Sequence, residues 1–301
     1  MGASGQIGHI VAHQLLKKGH QVKAIGRDPK KLEDLKSKGA EVITMRKFDD
    51  EETLTRGFIG VDGVFALIPP GHGEENFPAF QDRVGEAIKI AVQKNSPSHL
   101  VFISSIGGEL SEGTGPIKGL HRQEERLKTL KNLNVINLRP AFFMENLLHT
   151  IPGIKQTGRF QTPLLPELPL PMVSTDDIGL KAAEFLDQLN FKGQTVFDFA
   201  GPRDKPLMVK EIVKILGNAI GKPNLEFVHQ SYEEAKKDML AAGMKLSLVE
   251  LYIEMYKAFN ANKVNFTQQI TPEHRGKTTV EHFAEKFVRE YKQIKEKIHS
   301  S

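Results

Sequence analysis

Three glycines at G-x-x-G-x-x-G spacing, in Gly2-Ala3-Ser4-Gly5-Gln6-Ile7-Gly8, stand directly ahead of a helical pattern. A dinucleotide needs that spacing: Gly2 permits a tight turn, Gly5 lets backbone approach the pyrophosphate, and Gly8 lets the helix pack close to a sheet. The N–H groups of the first helical turn then face the diphosphate charge. Past the next strand comes Gly26-Arg27-Asp28-Pro29. An acid at the first position after the glycine would bind the ribose 2′-hydroxyl of NAD, whereas arginine accommodates the 2′-phosphate of NADP. Arg27 therefore points to NADPH over NAD, with Lys31 as a second positive charge; the alternative is an arginine that is simply exposed on a loop. Asp28 sits one place late for the NAD role and is expected to cap the helix that Pro29 opens.

Two further segments close apolar strands, Leu67-Ile68-Pro69-Pro70 and Ser104-Ser105-Ile106-Gly107-Gly108. Ligands of open α/β sheets lie beyond the carboxyl ends of the strands, so both should border the nicotinamide half. Ser104 and Ser105 could hydrogen-bond ribose or substrate, and serines at a strand end also serve as turn formers. His121 and Glu125 lie four apart on the following helix, hence on one face. An imidazole beside a carboxylate can relay a proton, although the same spacing describes a solvent-facing pair. His9 and His13 share that spacing without a third ligand, and no histidine shows metal-ligand spacing, so no metal is expected.

The elements that must position these groups are legible as alternation. Ile7, Ile10, Val11, Leu15 and Leu16 recur at helical spacing up to Lys17-Lys18-Gly19. Strands are expected at 21–26, 41–45, 63–68, 99–103 and 135–138, with helices over 29–38, 80–94 and 120–130 between them. This rhythm predicts an α/β, Rossmann-type doubly wound parallel sheet with right-handed crossovers. In such a sheet a central strand precedes the glycine turn, whereas here only Met1 does. The first strand is thus expected to be missing and the start of the chain truncated, leaving a gap between its two neighbours. After Arg139-Pro140 the rhythm breaks, and 162–171 carries four prolines. A helix from Thr175 and a strand near 195–199 return to the sheet, and from Pro206 the pattern is helical, over 232–242, 246–260 and 280–295 among others. The expected division is a cofactor-binding core at 1–150, rejoined by 172–200, and a smaller, mainly helical substrate-side lobe at 151–171 and 201–301.

Composition narrows the class. The chain has 301 residues, 39% hydrophobic and 26% charged, enough for one core with a lobe. A net charge of +4 spread along helices suits a phosphorylated small molecule and gives no reason to expect nucleic acid. Cysteine is absent, which excludes disulfides, thiolate nucleophiles and zinc-thiolate or iron–sulfur sites. No apolar run approaches the roughly 20 residues of a membrane span, and no signal peptide leads the chain, so the cytoplasm is the expected location and no membrane partner is expected.

Taken in order, these segments resemble the NmrA-like family of atypical short-chain dehydrogenase/reductases. The resemblance is carried by Gly2–Gly8, Gly26-Arg27-Asp28, Val64–Pro70, Ser104–Gly107, Leu138-Arg139-Pro140-Ala141-Phe142-Phe143-Met144-Glu145-Asn146 and Val173-Ser174-Thr175-Asp176-Asp177-Ile178-Gly179. It implies an NADP-binding Rossmann core with Gly2, Ser4, Gln6 and Ile7 along the pyrophosphate and Arg27 at the 2′-phosphate. Leu67 and Ile68 would approach the adenosine and ribose side, while Ala141, Phe142 and Phe143 would wall the nicotinamide. The family includes quinone and dye reductases, and also regulators that bind the cofactor without turnover. Where full alcohol dehydrogenases carry Tyr-x-x-x-Lys, this chain has His121-Arg122-Gln123-Glu124-Glu125, similar to the quinone-reductase branch. The resemblance thus implies an NADPH-dependent reductase of a quinone-like or other small electrophile, with His121 polarising the acceptor. The alternative is a non-catalytic NADP(H)-binding redox sensor with a regulatory protein partner; homo-oligomerisation fits either. Met45-Arg46-Lys47-Phe48 departs from the Gly-Asp that relatives place beside the adenine.

Overall fold

The computed structural model describes residues 1–298; residues 299–301, the end of the expected lobe, lie outside the described residues. The first half alternates: α1 (Gln6–Lys17), β1 (Lys23–Gly26), α2 (Glu33–Ser37), β2 (Glu41–Thr44), α3 (Glu51–Gly57), β3 (Gly63–Leu67), α4 (Phe77–Asn95), β4 (His99–Ile103), α5 (Ile117–Lys128) and β5 (Asn134–Pro140). Then follow β6 (Phe142–Phe143), α6 (Ile151–Thr157), β7 (Arg159–Thr162), β8 (Met172–Val173), α7 (Thr175–Gln188) and β9 (Gln194–Phe199). The chain continues through α8 (Val209–Ala219), β10 (Glu226–His229), α9 (Tyr232–Ala241), α10 (Leu246–Asn260) and α11 (Val280–Ile298). None of the described helices is long and apolar enough to cross a membrane.

The principal sheet is parallel throughout, in the order β3-β4-β5-β9, and β1 and β2 form a separate parallel pair. The expected gap falls between these two pieces: among the described residues no strand lies between β1 and β3. Met1–Ala3 touches both sides of it. The Ala3 N–H donates to the Ile25 carbonyl at 3.0 Å, and the Met1 nitrogen donates to the Phe65 carbonyl at 2.6 Å. The glycine turn is thereby fixed at the carboxyl ends of β1 and β3.

Period-two alternation divides the core. Leu100 and Phe102 of β4 enter one cluster with Leu54 of α3, Val84 and Ile88 of α4 and Leu127 of α5. Val101 and Ile103 enter the other, with Ile7 and Val11 of α1 and Ile178 and Ala182 of α7. A strand covered on both faces reads as a continuous apolar run, because both of its side-chain sets are buried. Gly179 lets α7 close on α1, since a Cβ there would lie 2.7 Å from the Ile10 side chain.

The helix ends explain where the expected boundaries moved. Asn76 caps α4 by accepting from the Ala79 N–H at 3.0 Å, with Pro78 in the first turn, so α4 starts at Phe77 rather than residue 80. α5 starts at Ile117 rather than 120, immediately after Pro116. The expected helix over 29–38 is a 3-10 turn, Lys30–Leu32, running into the short α2. Short strands stand beside the helices: β7 pairs in parallel with β10 within the expected lobe, and β6 with β8 at its border with the core. These strands have two to four residues, too few for alternation to register against the surrounding pattern.

Candidate functional site

The glycine turn has the geometry its spacing requires. Gly2 adopts φ +76°, and the Gly5 N–H donates back to its carbonyl at 2.9 Å. A Cβ on Gly8 would lie 2.4 Å from that same carbonyl oxygen, so α1 meets the turn at a separation only glycine permits. The N-terminus of α1 has no side-chain cap and no acid in its first turn. Asp50, Asn76, Ser174 and Ser231 cap α3, α4, α7 and α9, whereas α2, α5, α6 and α10 start uncapped like α1; what sets α1 apart is the glycine turn ahead of it. The uncapped N–H groups of Gln6, Ile7 and Gly8 suit an anion supplied from outside the chain.

The neighbouring residues line up around the turn. Ser4 sits against Gly26, where a Cβ would come 3.0 Å from its Oγ, and Leu67 sits against Gly2. Gly5 and Gln6 are exposed, while the Ile7 side chain is in the core, leaving its backbone N–H as what it can offer a ligand. Gln6 Oε1 accepts from Thr175 Oγ1 at 3.3 Å. Arg27 is exposed and its guanidinium lies 3.9 Å from the centre of the Phe48 ring, a stacked contact at the carboxyl end of β1. Phe48 is thus the neighbour of Arg27 that the Met45–Phe48 departure concealed. Asp28 Oδ1 accepts from the Lys30 N–H at 3.0 Å, as its capping role anticipates; Lys31 is exposed one residue further on. A cradle without side chains, an uncapped helix end and a cation beyond β1 together fit a phosphorylated dinucleotide.

On the other side of the turn, the ends of β4 and β5 hold a buried charge network. Arg139 donates from Nε to Glu124 Oε1 at 2.8 Å and from Nη2 to Oε2 at 2.6 Å, a bidentate pair. Nη1 donates to Glu109 at 3.1 Å. Burial disfavours the Arg139 charge, yet Glu124 outweighs it and holds the guanidinium above its ordinary range. The Ser104 hydroxyl donates to Glu124 Oε1 at 2.5 Å, so this serine, expected at the ribose, is buried and engaged within the protein. Sequence reading paired His121 with Glu125; Glu125 instead binds Lys128 at 2.5 Å, and that hydrogen bond holds its carboxylate below the usual range. The buried acid is its neighbour Glu124. The signal available for it was Arg139, a charge inside an otherwise apolar strand, which burial obliges to find a partner.

His121 is half-buried, and its Nδ1 lies 2.9 Å from the Gly108 carbonyl. A carbonyl only accepts, so Nδ1 carries the proton and Nε2 is left to face a ligand. Ile68 is half-buried beyond β3. Ala141 is buried, its N–H donating to the Phe199 carbonyl at 2.8 Å. Phe142 and Phe143 are half-buried; Phe142 meets Phe259 of α10 edge to face, with centroids 5.7 Å apart. A cavity of about 200 Å³ adjoins the β6–β8 pair, lined by Met144, Leu170, Met172 and Phe266. The described residues hold no group of three or more acidic, histidine or cysteine side chains able to bind a metal.

The family model of the NmrA-like family matches residues 1–296. An NAD(P)H azoreductase of Xenophilus azovorans is 26% identical over 256 residues, covering 85% of each chain. Among solved structures, the Citrobacter sp. triphenylmethane reductase complexed with NADP(H) superposes with a TM-score of 0.76 at 21% identity, over 95% of this chain and 98% of the other. The Escherichia coli NADPH-dependent quinone oxidoreductase complexed with NADPH gives 0.73 at 19% identity, over 95% and 97%.

Proposed function

The chain belongs to the NmrA-like family, and from that membership we propose that it is an NADPH-dependent reductase of a quinone-like or other small electrophilic acceptor. The observation that carries the reading is the pairing of an uncapped, glycine-cradled helix end with Arg27 at the end of β1. The similar azo, dye and quinone reductases use nicotinamide cofactors, and they support the choice of acceptor class. In this reading residues 1–150 and 172–200 hold the cofactor, and 151–171 with the chain from 201 onward form the acceptor-side lobe.

NADPH supplies a hydride when bound. The backbone of Gly2–Gly8 holds its pyrophosphate, Arg27 and Lys31 meet its 2′-phosphate, and Ala141–Phe143 lie along the nicotinamide side. A quinone takes hydride directly and the one proton that completes the hydroquinone from water, so a Tyr-x-x-x-Lys pair is dispensable. His121 borders the acceptor: neutral, it accepts at Nε2; as the imidazolium, it donates there and polarises an acceptor oxygen. His121→Ala is expected to lower kcat about tenfold or more with NADPH affinity unchanged, and equal loss of both would remove that role.

The test is a fluorescence titration with NADPH and NADH, followed by NADPH oxidation against quinones, azo dyes and cationic triphenylmethane dyes. Charge-assisted contacts to the 2′-phosphate are each worth about 1.5–3 kcal/mol, so NADPH should bind about ten- to a hundredfold more tightly than NADH. Arg27→Ala should erase that difference. Tight NADPH binding with no acceptor reduced would replace the reductase reading with a cofactor-sensing one.

A further inference from the structure

α10 lies across the carboxyl ends of three successive strands. Near its start, Ser247 Oγ accepts from the Phe77 N–H at 3.0 Å, at the head of the helix that follows β3. In its middle, Gly115, in the turn after β4, has φ +62°, and a Cβ there would lie 2.0 Å from the Leu251 carbonyl oxygen. Glu254 accepts from Lys118 Nζ at 2.9 Å in the same region. Near its end, Phe259 packs edge to face on Phe142, just past β5. This helix therefore roofs the edge of the sheet at which the reductase reading puts the acceptor.

Tyr252, Tyr256 and Phe259 are spaced i, i+4, i+7, which sets them on one stripe of α10. Phe259 fixes the direction of that stripe, toward Phe142. Tyr252 packs against the cluster that includes Ile68, and Tyr256 against the one that includes Phe142 and Phe143. Both rings are partly buried, and neither hydroxyl has a hydrogen-bond partner among the described residues. Tyr232 differs, since its hydroxyl accepts from Asn260 at 2.9 Å. Neither hydroxyl is among the buried polar atoms closed off from solvent, so both are open to a ligand that enters beneath α10, and a phenol on an otherwise apolar ring suits one with an apolar body and a polar edge.

We propose that Tyr252 and Tyr256 form the acceptor-facing wall of the site, the Tyr256 hydroxyl donating a hydrogen bond to a carbonyl oxygen of a planar quinone. The inference rests on the reductase reading. The quinone accepts a hydride, and with it two electrons, at one end, and a proton from solvent at its oxygen, giving hydroquinone and NADP+; the Tyr256 O–H bond neither forms nor breaks. Desolvation and the adjacent Tyr252 hold the Tyr256 phenol well above its ordinary range, so it stays a donor at every working pH. Neutral His121, with Nδ1 committed to Gly108, cannot supply that donor.

The experiment separates binding from turnover. The full chain, saturated with NADP+ so that no hydride can transfer, is dialysed to equilibrium against menadione. Its four tyrosines and lack of tryptophan make the tyrosine difference spectrum an independent reading of the same event. Tyr256→Phe should weaken menadione binding about tenfold, the worth of one hydrogen bond, with NADP+ affinity unchanged. Tyr252→Phe should lessen the difference spectrum, while Tyr232→Phe should change neither. In turnover, Tyr256→Phe should lower kcat/KM for menadione and leave it unchanged for a cationic triphenylmethane dye, which takes hydride at a carbon that bears no oxygen. Menadione binding that Tyr256→Phe and Tyr252→Phe both leave intact, or no binding by the wild-type chain, would overturn the proposal. Tyrosine-dependent menadione binding without oxidation of NADPH by any acceptor would instead overturn the reductase reading and leave the wall in place.

Discussion

Glu124 and Arg139 are a deeply buried ion pair beside the candidate site, with side chains 1% and 6% exposed. Their two parallel hydrogen bonds tie the helix after β4 to the end of β5, so they position His121 rather than react. Removing one partner strands the other in a low-dielectric site, whereas removing both does not. Glu124→Gln should therefore cost about 3 kcal/mol in urea unfolding, and Glu124→Gln combined with Arg139→Met should recover most of it. Additive losses would show that the pair is not coupled. At the other end of the site, Gly8→Ala forces a methyl to within 2.4 Å of the Gly2 carbonyl. Overpacking of this kind costs about 1–3 kcal/mol, and because the displaced group is the pyrophosphate turn itself, NADPH binding should weaken more than tenfold while the fold persists. At this scale the sequence was informative where a residue acts through its backbone: Gly2 and Gly8 form the turn their spacing predicts, and Arg27 stands exposed at the end of β1. It was uninformative where the partner is distant in the chain. Nothing local says that Glu124 rather than Glu125 turns inward toward a strand fifteen residues later.

Among the elements, those built on long periodic runs were readable: α1, α4 and β3 to β5 all fell close to their expected bounds. α3 was not anticipated, because seven residues give periodicity too little length to register, although Asp50-Glu51-Glu52 carries a cap and two first-turn acids. Asp50 accepts from the Thr53 N–H at 3.0 Å and from its hydroxyl at 2.7 Å. That backbone hydrogen bond is the main cause holding its carboxyl below the ordinary value. Because the folded-state value is the lower one, the stabilisation is complete above the unfolded value of about 3.9 and is lost as pH falls through the folded value. Asp50→Ala should cost about 1 kcal/mol at neutral pH, and the difference from wild type should shrink as pH falls below the unfolded value and through the lower folded one. A difference that persists there would mean that the side chain stabilises by packing rather than by capping. The lobe strands β7 and β10 were likewise hidden, being four residues each; their register is carried by Phe160 and Phe227, which stack 6.4 Å apart.

For the whole molecule, the separation of the sheet into β1–β2 and β3-β4-β5-β9 was legible from the glycine turn standing at residue 2, because a doubly wound sheet normally puts a strand before that turn. The structure adds how the two pieces meet. Ala3 hydrogen-bonds to Ile25 on one side and Met1 to Phe65 on the other, and the turn between them packs against Leu67 and Gly26. A dinucleotide laid along Gly2–Gly8 with its 2′-phosphate at Arg27 would contact the end of β1, and with its nicotinamide toward Ala141 it would contact the end of β5. Its binding energy would then couple two pieces that share few backbone hydrogen bonds. At a hundredfold excess over Kd, a ligand bound only by the native state adds about 2.7 kcal/mol, on the order of 5 °C in Tm for a chain of this size. The distribution of that gain is what identifies the coupling. Amide exchange measured with and without NADPH should slow in β1 and β2 as well as in β3 and β4, including positions such as Ile43 that no ligand at the turn could touch. Protection confined to the glycine turn and the first turn of α1 would mean that the cofactor binds locally and that the two pieces hold together through side-chain packing alone.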